Sequence, residues 1–319
     1  MGIKNSIWAI LFISVSGIAQ TDTISNAYYK EFKNMLSVQA FTFNAFNNFT
    51  LEYKEENTVL DIIPNEKTTV GIAFQYGIIG FSLGFAPKIF DDNRDNENSK
   101  MTSFSFNMFP GRFMFNFDLY SQKGVTVQEQ GGSSVYLQDF KTFKIGGSTA
   151  YFFNKNFSYS ASALQNTKQL KSAGSFAPTI SYYYTEFNAK NEPLIESEET
   201  SFIYTSIGPA YYYNWVINDN FLLSTGGSIG GGIAITSEEN TTSRFLVSAS
   251  VLLAAGYNFE HWYGGLNISA KSFNHGEESN VQMNDAIGHA TLFIGYRFDE
   301  PAFLKRKREK IEAKVKRLL

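Results

Sequence analysis

The feature that most limits how this chain can fold is an alternation of side-chain character with a period of two residues, which runs from about residue 35 to residue 298. Large apolar side chains alternate with small or polar ones in runs of about ten residues. In the last run, Leu292, Ile294, Tyr296 and Phe298 share one parity, and His289, Thr291 and Arg297 share the other. Because successive side chains of a strand point to opposite faces, the pattern predicts β-structure throughout.

Two all-β folds fit this pattern. A soluble sandwich buries the apolar face, whereas a membrane barrel turns the apolar face to lipid and the polar face to its lumen. The runs are long enough to cross a bilayer as strands, which takes about 9–11 residues. Aromatic residues also cluster near strand ends, at 211–215, 259–263 and 296–298, where interfacial rings of aromatic side chains lie in such barrels. These features favour the barrel.

The first 19 residues have the form of a secretory signal peptide. Lys4 supplies the positive charge, residues 7–15 form a short apolar core, and Gly17-Ile18-Ala19 predicts cleavage before Gln20. An N-terminal membrane anchor is the alternative. We therefore divide the chain into a signal peptide (1–19), a periplasmic segment (20–34), an outer-membrane barrel (35–298) and a basic periplasmic tail (299–319), and we expect the protein in the cell outer membrane.

Loop lengths predict the number of strands, because short periplasmic turns and long outer loops alternate in such barrels. The alternation is strict if Asn47-Asn48 and the stretch 165–174 are kinks inside long strands. The predicted strands are 35–55, 67–77, 80–86, 101–109, 112–121, 140–153, 156–187, 201–217, 220–236, 243–259, 262–274 and 284–298. The result is an up-and-down antiparallel barrel of about 12 strands with both termini in the periplasm. If both kinks are turns, the count is fourteen.

The charge is unevenly distributed. Residues 301–319 contain eight of the 27 basic residues and two of the 30 acidic ones, so the tail carries +6 and the remainder −9. A nucleic-acid-binding domain would spread positive charge over a folded face, and this class is excluded. Apolar residues at helical spacing in the tail (Leu304, Ile311, Val315, Leu318) suggest a short helix on headgroups, peptidoglycan or a periplasmic partner, and a frayed terminus is the alternative.

Several short motifs carry a resemblance to a known family. They are Ile63-Pro64-Asn65-Glu66, Val70–Tyr76, Gly80–Phe85, Phe117–Tyr120, Tyr151–Asn154, Phe157-Ser158-Tyr159 and Lys171–Phe176. In order and spacing they are similar to an outer-membrane barrel family of Bacteroidetes, catalogued as domain of unknown function 4421. The resemblance covers about residues 28–298. It implies an outer-membrane β-barrel and brings no established activity or catalytic residue, and the basic tail looks like an addition to it.

The polar parity supplies the candidate functional residues. Asp118, Lys144, Glu186, Lys271, His289 and Arg297 are predicted to line the lumen, either along a pore or paired inside a plugged barrel. Within residues 226–234, the small residues Gly226, Ser228, Gly230, Gly232 and Ala234 share the same parity. Tyr296 and Phe298 form an aromatic strand end of the kind that barrel-assembly machinery recognises. The expected partners are therefore outer-membrane lipid and that machinery.

No pattern predicts a catalytic centre, a metal site or a cofactor. The chain has no cysteine, and its three histidines lack metal-binding spacing. A lipid hydrolase using His289, a lumenal serine and Glu186 or Asp118 is conceivable, but no nucleophile motif supports it. The acidic loop 91–97 offers oxygen ligands but lacks the glycine and final glutamate of a calcium loop.

We therefore expect a non-enzymatic barrel with a structural, channel or small-solute transport role. A lipid-modifying hydrolase and a secreted soluble ligand-binding protein are the alternatives.

Overall fold

The computed structural model describes residues 27–32, 34–77, 79–90, 99–192, 199–237, 241–276 and 281–315. The predicted signal peptide and the candidate calcium loop lie outside these residues. The strands are β1 Tyr29–Glu31, β2 Met35–Tyr53, β3 Thr58–Pro64, β4 Lys67–Tyr76, β5 Ile79–Phe85, β6 Lys100–Met108, β7 Phe113–Glu129, β8 Ser134–Tyr151, β9 Thr167–Gln169, β10 Ala173–Asn188, β11 Glu199–Val216, β12 Phe221–Ser237, β13 Thr241–Asn258, β14 Trp262–Gly276 and β15 Val281–Asp299. A 3₁₀ helix spans Tyr159–Ala163, and one α-helix, α1, spans Ala302–Val315.

Thirteen of the described strands form one antiparallel sheet that closes on itself, because β15 pairs with β2 along its whole length. Strands β3 and β4 pair with the same edge of β2, one after the other, so they form a single wall strand. The ring therefore has twelve positions, and the predicted twelve-strand antiparallel barrel is confirmed. We call the end where β2 begins and β15 ends the lower end.

Two predicted loops are in fact strand. Residues 58–64 form β3, and residues 122–140 are mostly the ends of β7 and β8, which meet at the tight turn 130–133. A register shift between Lys123 and Val125 changes which parity of β7 is buried, from Tyr120 below it to Val125 above it, so the alternation that would mark one continuous strand is interrupted. The predicted kink at Asn47-Asn48 is correct, since β2 runs through it without a break.

The predicted long strand 156–187 is wrong in its first half. Residues 154–172 leave the wall and fold into the lower end of the lumen as a plug segment, which contains the 3₁₀ helix and β9. Strand β9 pairs with β1, and backbone carbonyls of the segment accept hydrogen bonds from wall side chains: Ser158 from Asn214 at 2.8 Å and Thr167 from Asn258 at 3.0 Å. Within the segment, Ala161 and Leu164 are almost fully buried.

The outward face of the barrel is apolar. Ile207, Ile229, Phe245 and Leu292 are each more than 60% exposed, which a soluble protein would not tolerate over so large a patch. Exposed aromatic rings surround the lower end: Tyr211, Trp215, Tyr257, Phe259, Trp262 and Phe298. Among the described residues, no helix is both long and apolar enough to cross a membrane.

Helix α1 follows β15 directly and is held against the lower rim. Arg308 donates to both carboxylate oxygens of Glu300 at 3.0 Å, and the Tyr76 hydroxyl donates to the same carboxylate. These bonds attach the cationic helix to β4 and β15, so the first turns of the tail have a fixed position beside the barrel.

This attachment predicts a pH dependence. The hydrogen bonds from Arg308 hold the pKa of Glu300 below its usual value. A carboxyl group with a lowered folded-state pKa stabilises docking fully above its unfolded value, about 4.3, and the contribution is lost as the pH falls through the folded value. Spin labels on cysteines introduced at Arg112 and Lys307 should therefore show a fixed distance at neutral pH and a broad one in acid. The same labels in a Glu300→Gln background should show no such pH dependence, and an identical transition there would contradict the assignment.

Candidate functional site in the barrel lumen

Aromatic side chains fill the upper half of the lumen. Tyr183, Phe202, Tyr204 and Phe273 are almost fully buried, and the ring centroid of Phe273 lies 5.2 Å from that of Tyr183 and 5.4 Å from that of Tyr204. The other members of this upper layer are Ala45, Phe49, Tyr120, Ala234, Leu246, Met283 and Ile287. Because these residues come from eight of the twelve wall positions, β2, β7 and β10 to β15, the upper layer extends across the lumen.

A buried ion pair crosses the upper layer. The Lys144 ammonium on β8 donates to the Asp285 carboxylate on β15, and both side chains are fully buried. Lys144 also donates to Asn47 Oδ1 at 2.6 Å and lies 4.8 Å from the ring centroid of Phe49. Thr185 on β10 lies beside the other Asp285 oxygen at 3.5 Å. Four strands are thus tied together through the interior of the barrel.

In the lower half of the lumen, Arg297 holds the plug segment in place. Its guanidinium is fully buried and donates to the carbonyl oxygens of Leu164 and Gln165 in the plug segment, the latter at 2.5 Å. It also donates to the carbonyls of Phe259 and Glu260 at 2.8 and 3.0 Å, in the turn between β13 and β14. A guanidinium can donate to several carbonyl oxygens at once, because its five N–H groups lie in one plane and point in different directions.

Apolar side chains complete this lower layer. Some pack around the 3₁₀ helix and Leu164, and others pack beside them on the wall: Met114, Phe152, Phe157, Tyr212, Leu222, Leu252, Tyr263 and Phe293. The lumen is therefore also occupied at its lower end.

Between the two layers lies a zone of small and polar side chains, which we call the chamber. On β12, Ser228 and Gly230 fall between Leu222 of the lower layer and Ala234 of the upper layer. The same order recurs on β7, β10, β11, β13, β14 and β15. The inward residues between the layers include Asn116 and Asp118 on β7, Ser181 on β10, Gly208 on β11, Ser250 on β13, Ser269 and Lys271 on β14, and His289 on β15. Most of them are only half-buried although they point inward, so the chamber contains open space.

A hydrogen-bonded group of side chains lines one side of the chamber. Lys271 Nζ donates to Ser148 Oγ and to Tyr183 Oη, both at 3.0 Å. The Tyr183 hydroxyl donates to Asp118 Oδ2 at 3.0 Å, and Asn116 donates to Asp118 Oδ1 at 3.1 Å. The Asp118 carboxylate therefore has neutral donors on both oxygens. Among the described residues, no carboxylate lies within salt-bridge distance of Lys271.

The structure places five of the six predicted lumen residues inside the barrel: Asp118, Lys144, Lys271, His289 and Arg297. Glu186 differs from the prediction. It shares the outward face of β10 with Ile180 and Tyr182, while Tyr183 and Thr185 point inward. The run Tyr182-Tyr183-Tyr184 is aromatic on both faces, so it carries no alternation that would mark the inward one. Tyr296 and Phe298 lie on the outward face at the lower end, where Tyr296 packs against Trp262.

The hydrolase constellation considered from the sequence does not assemble. Glu186 lies outside the barrel wall, and in the described part of the chain no hydrogen bond joins His289 to a serine; its ring stacks on Phe43 instead. Ser148 does contact a lysine, a pair that some hydrolases use. It lies within β8, paired with both β7 and β10, where backbone N–H groups are used by the sheet and are not available as oxyanion donors. The described residues also contain no group of three or more potential metal ligands.

Sequence reasoning missed Asp285, Tyr183 and the polar groups around them. A signal existed for Asp285, which interrupts the inward parity between Met283 and Ile287, two apolar residues. The positions of Ser148 and Asn116 carried no signal, since they are ordinary polar residues whose importance comes from partners on distant strands.

A closed antiparallel barrel with an apolar outward face and aromatic side chains around its end is a transmembrane β-barrel. The chain belongs to the family described as domain of unknown function DUF4421, whose model matches residues 20–298. No curated protein matches the chain.

Solved structures of outer-membrane proteins are similar in fold. The outer membrane protease OmpT of Escherichia coli has 8% identity and a TM-score of 0.36, with 84% of this chain and 98% of that chain covered. The outer membrane protein OprG of Pseudomonas aeruginosa has 11% identity and a TM-score of 0.29, with 84% and 98% covered. OmpT of Vibrio cholerae, an outer membrane protein, has 8% identity and a TM-score of 0.32, with 88% and 100% covered.

The two faces of β15 predict different tolerance to charge. Leu292 points outward and is 61% exposed, whereas Thr291 points into the chamber. Leu292→Arg should therefore reduce the free energy of unfolding by about 2–4 kcal/mol, the cost of a cation at mid-depth in a bilayer. Thr291→Arg should cost less because the chamber is polar. Urea unfolding in lipid vesicles measures both, and a larger loss for Thr291→Arg would contradict the assigned faces.

Proposed function

We propose that this protein is an outer-membrane β-barrel that is closed to free diffusion and handles a small solute in its internal chamber, without enzymatic activity. The proposal includes export through a cleaved signal peptide (1–19) and a Bacteroidetes source, as the resemblance implies. Its partners are outer-membrane lipid, the assembly machinery that recognises Tyr296 and Phe298, and a periplasmic partner or surface for the basic tail.

One observation carries the proposal: the described side chains pack across the lumen twice, above and below a polar chamber. A porin-type channel needs a continuous aqueous path. Here the upper layer, with its buried Lys144–Asp285 pair, and the lower layer, with the plug segment, both interrupt that path. A purely structural barrel would have no need for a half-open zone of serines and glycines, where apolar side chains would stabilise the wall more.

Conductance across planar bilayers tests the proposal. The purified barrel should insert and show heat-modifiable mobility, but it should carry no steady open-pore current. Shortening the side chains of Phe202 and Tyr204 in the upper layer, combined with Arg297→Met to weaken the attachment of the plug segment, should produce a steady open-pore current. Ile203→Ala is the control for the upper layer, since Ile203 lies between these residues but is 48% exposed on the outward face. A steady current from the unaltered protein, or its recovery in the soluble periplasmic fraction, would contradict the proposal.

A further inference from the structure

Helix α1 is attached to the outward side of the lower rim. The Glu300 carboxylate, just before the helix, accepts hydrogen bonds from Arg308 on α1 and from the Tyr76 hydroxyl on β4. Across the adjoining strands, Phe298 lies directly opposite Leu36, and Leu36 lies directly opposite Tyr76. Directly opposite residues share a face of a sheet, and Phe298 is 48% exposed on the outward face. Tyr76 therefore attaches the first two turns of the helix at the outward edge of the wall.

This edge of the wall is at the level of the lipid headgroups. Exposed aromatic rings mark that level in membrane barrels, and at the lower end Tyr296 packs edge-on against Trp262 and Phe298, with ring centroids 4.9 and 4.8 Å apart. The chain passes from Phe298 to Ala302, the first residue of α1, in four steps, which span at most about 14 Å. The helix therefore begins within reach of the headgroups that border the wall.

The side of α1 turned away from the wall carries cations and one aromatic ring. Leu304 and Arg308, about one turn apart, are partly buried and form the attached side. The exposed side follows the helical spacing i, i+3, i+4 and i+7 and consists of Phe303, Arg306, Lys307 and Lys310, which we call the cationic face. Phe303 is 63% exposed. Among the described residues, no carboxylate lies within salt-bridge distance of the three cations of this face.

Anionic phospholipid fits the cationic face. In helices that lie in a membrane interface, an aromatic ring enters the boundary between headgroups and acyl chains, and long basic side chains extend to the phosphates. Attraction to an anionic leaflet contributes about a fivefold gain in affinity for each lysine or arginine near its surface. Because the wall holds α1 beside lipid, the effective concentration of headgroups at the cationic face is high, and a soluble acidic partner would have to displace them.

We propose that the cationic face of α1 binds the phosphate groups of anionic phospholipid in the leaflet that borders the lower rim, with Phe303 inserted between the headgroups. The attachment through Tyr76, Glu300 and Arg308 orients the helix for this contact. The inference rests on the proposed function, since it names the surface that the basic tail meets.

The accessibility of a spin label tests this contact in the full-length barrel. The label is attached to Ala302→Cys, because Ala302 is exposed, lies outside the cationic face, and the chain has no cysteine of its own. In phosphatidylcholine nanodiscs, the label should collide freely with a neutral, water-soluble nickel chelate. Replacing half of the lipid with phosphatidylglycerol should lower the collision rate about threefold, and 1 M salt should restore it, because the Debye length is then about 3 Å. An equal collision rate in both lipids would overturn the proposal.

Two triple variants show which cations are responsible. The first replaces the three cations of the cationic face with glutamine and should abolish the difference between the two lipids. The matched control makes the same change in net charge at three exposed lysines in the upper half of the barrel, Lys54, Lys100 and Lys141, and should keep the difference. A difference that survives in the first variant, or that disappears in the control, would show that the cationic face is not the lipid contact.

The same label separates phospholipid from other sources of negative charge. Millimolar inorganic phosphate or soluble peptidoglycan fragments are added to the labelled barrel in phosphatidylcholine nanodiscs, and neither should lower the collision rate. A decrease as large as that caused by phosphatidylglycerol would assign the cationic face to that ligand and overturn the proposal. None of these changes touches the packing across the lumen, so the open-pore current tests the proposed function independently.

Discussion

Replacing Lys144 by methionine is expected to lower the free energy of unfolding by about 3–5 kcal/mol, because it leaves the Asp285 carboxylate without its cation in the interior of the barrel. Methionine preserves much of the side-chain volume, so the loss reports the charge and its hydrogen bonds to Asp285 and Asn47. Urea unfolding of the barrel in lipid vesicles measures it. Lys141→Met on the same strand is the matched control, since Lys141 is exposed and its loss should cost less than about 0.5 kcal/mol.

A double variant tests whether Lys144 and Asp285 are energetically coupled. The double variant Lys144→Met/Asp285→Leu removes both charges and should recover most of the stability lost in Lys144→Met, because a buried pair replaced by apolar groups is often neutral. Two single losses that simply add in the double variant would show that the residues are not coupled. The Lys144–Asp285 contact would then have no special part in closing the upper layer.

Replacing Arg297 is expected to have an effect of similar size and to release the plug segment. Arg297→Met leaves the carbonyl oxygens of Leu164, Gln165, Phe259 and Glu260 without this donor in a buried site. An unsatisfied buried group costs about 1–3 kcal/mol, so we expect a total loss of more than about 3 kcal/mol. Arg297→Lys should recover only part of it, because an ammonium cannot reproduce the planar fork.

Limited trypsin digestion separates release of the plug from general unfolding. Lys168 and Lys171 lie in the plug segment and should be cleaved early in Arg297→Met, while the wall strands remain protected. Arg112→Met is the control, since Arg112 also lies at the lower end but is exposed, and its guanidinium contacts the Phe153 carbonyl at 3.2 Å and the Tyr151 ring, outside the plug segment's buried site. If the plug segment of Arg297→Met is as resistant as that of the control, Arg297 does not hold it in place.

The fold was predictable from the sequence because each wall strand in the bilayer must show an apolar face to lipid and a smaller or more polar face to the lumen. This alternation predicted β13 and β15 almost to their ends, and it placed Leu292 and Ile294 outside. It failed at β3, where apolar residues occupy both parities, and beyond Lys123 on β7, where a register shift changes which parity is buried.

The plug segment and the short pairing of β5 with β6 could not be predicted, for different reasons. The plug segment is held by partners far away in the sequence, such as Asn214, Asn258 and Arg297, and its own residues look like an irregular strand. Strands β5 and β6 pair only from Ile79↔Met108 to Phe81↔Phe106 among the described residues, and the extent of pairing between two strands is not encoded in the character of either strand alone. Glu186 was misplaced because its neighbours are aromatic on both faces of β10.

The pairing of β1 with β9 has a consequence for the order in which the barrel is assembled. These short strands bring Tyr29–Glu31 together with Thr167–Gln169 inside a ring whose last seam, β15 with β2, joins the two ends of the chain. A seam between such distant segments forms late, because the entropy of closing a long loop opposes it. We therefore expect the plug segment to be in position before the seam closes, with Arg297 on the last strand forming its hydrogen bonds to Leu164 and Gln165 when β15 pairs with β2. A mutant in which β15 pairs with β2 too early should form a barrel whose lumen lacks the plug segment. This defect lies in the folding kinetics, so a measurement of equilibrium stability would not detect it.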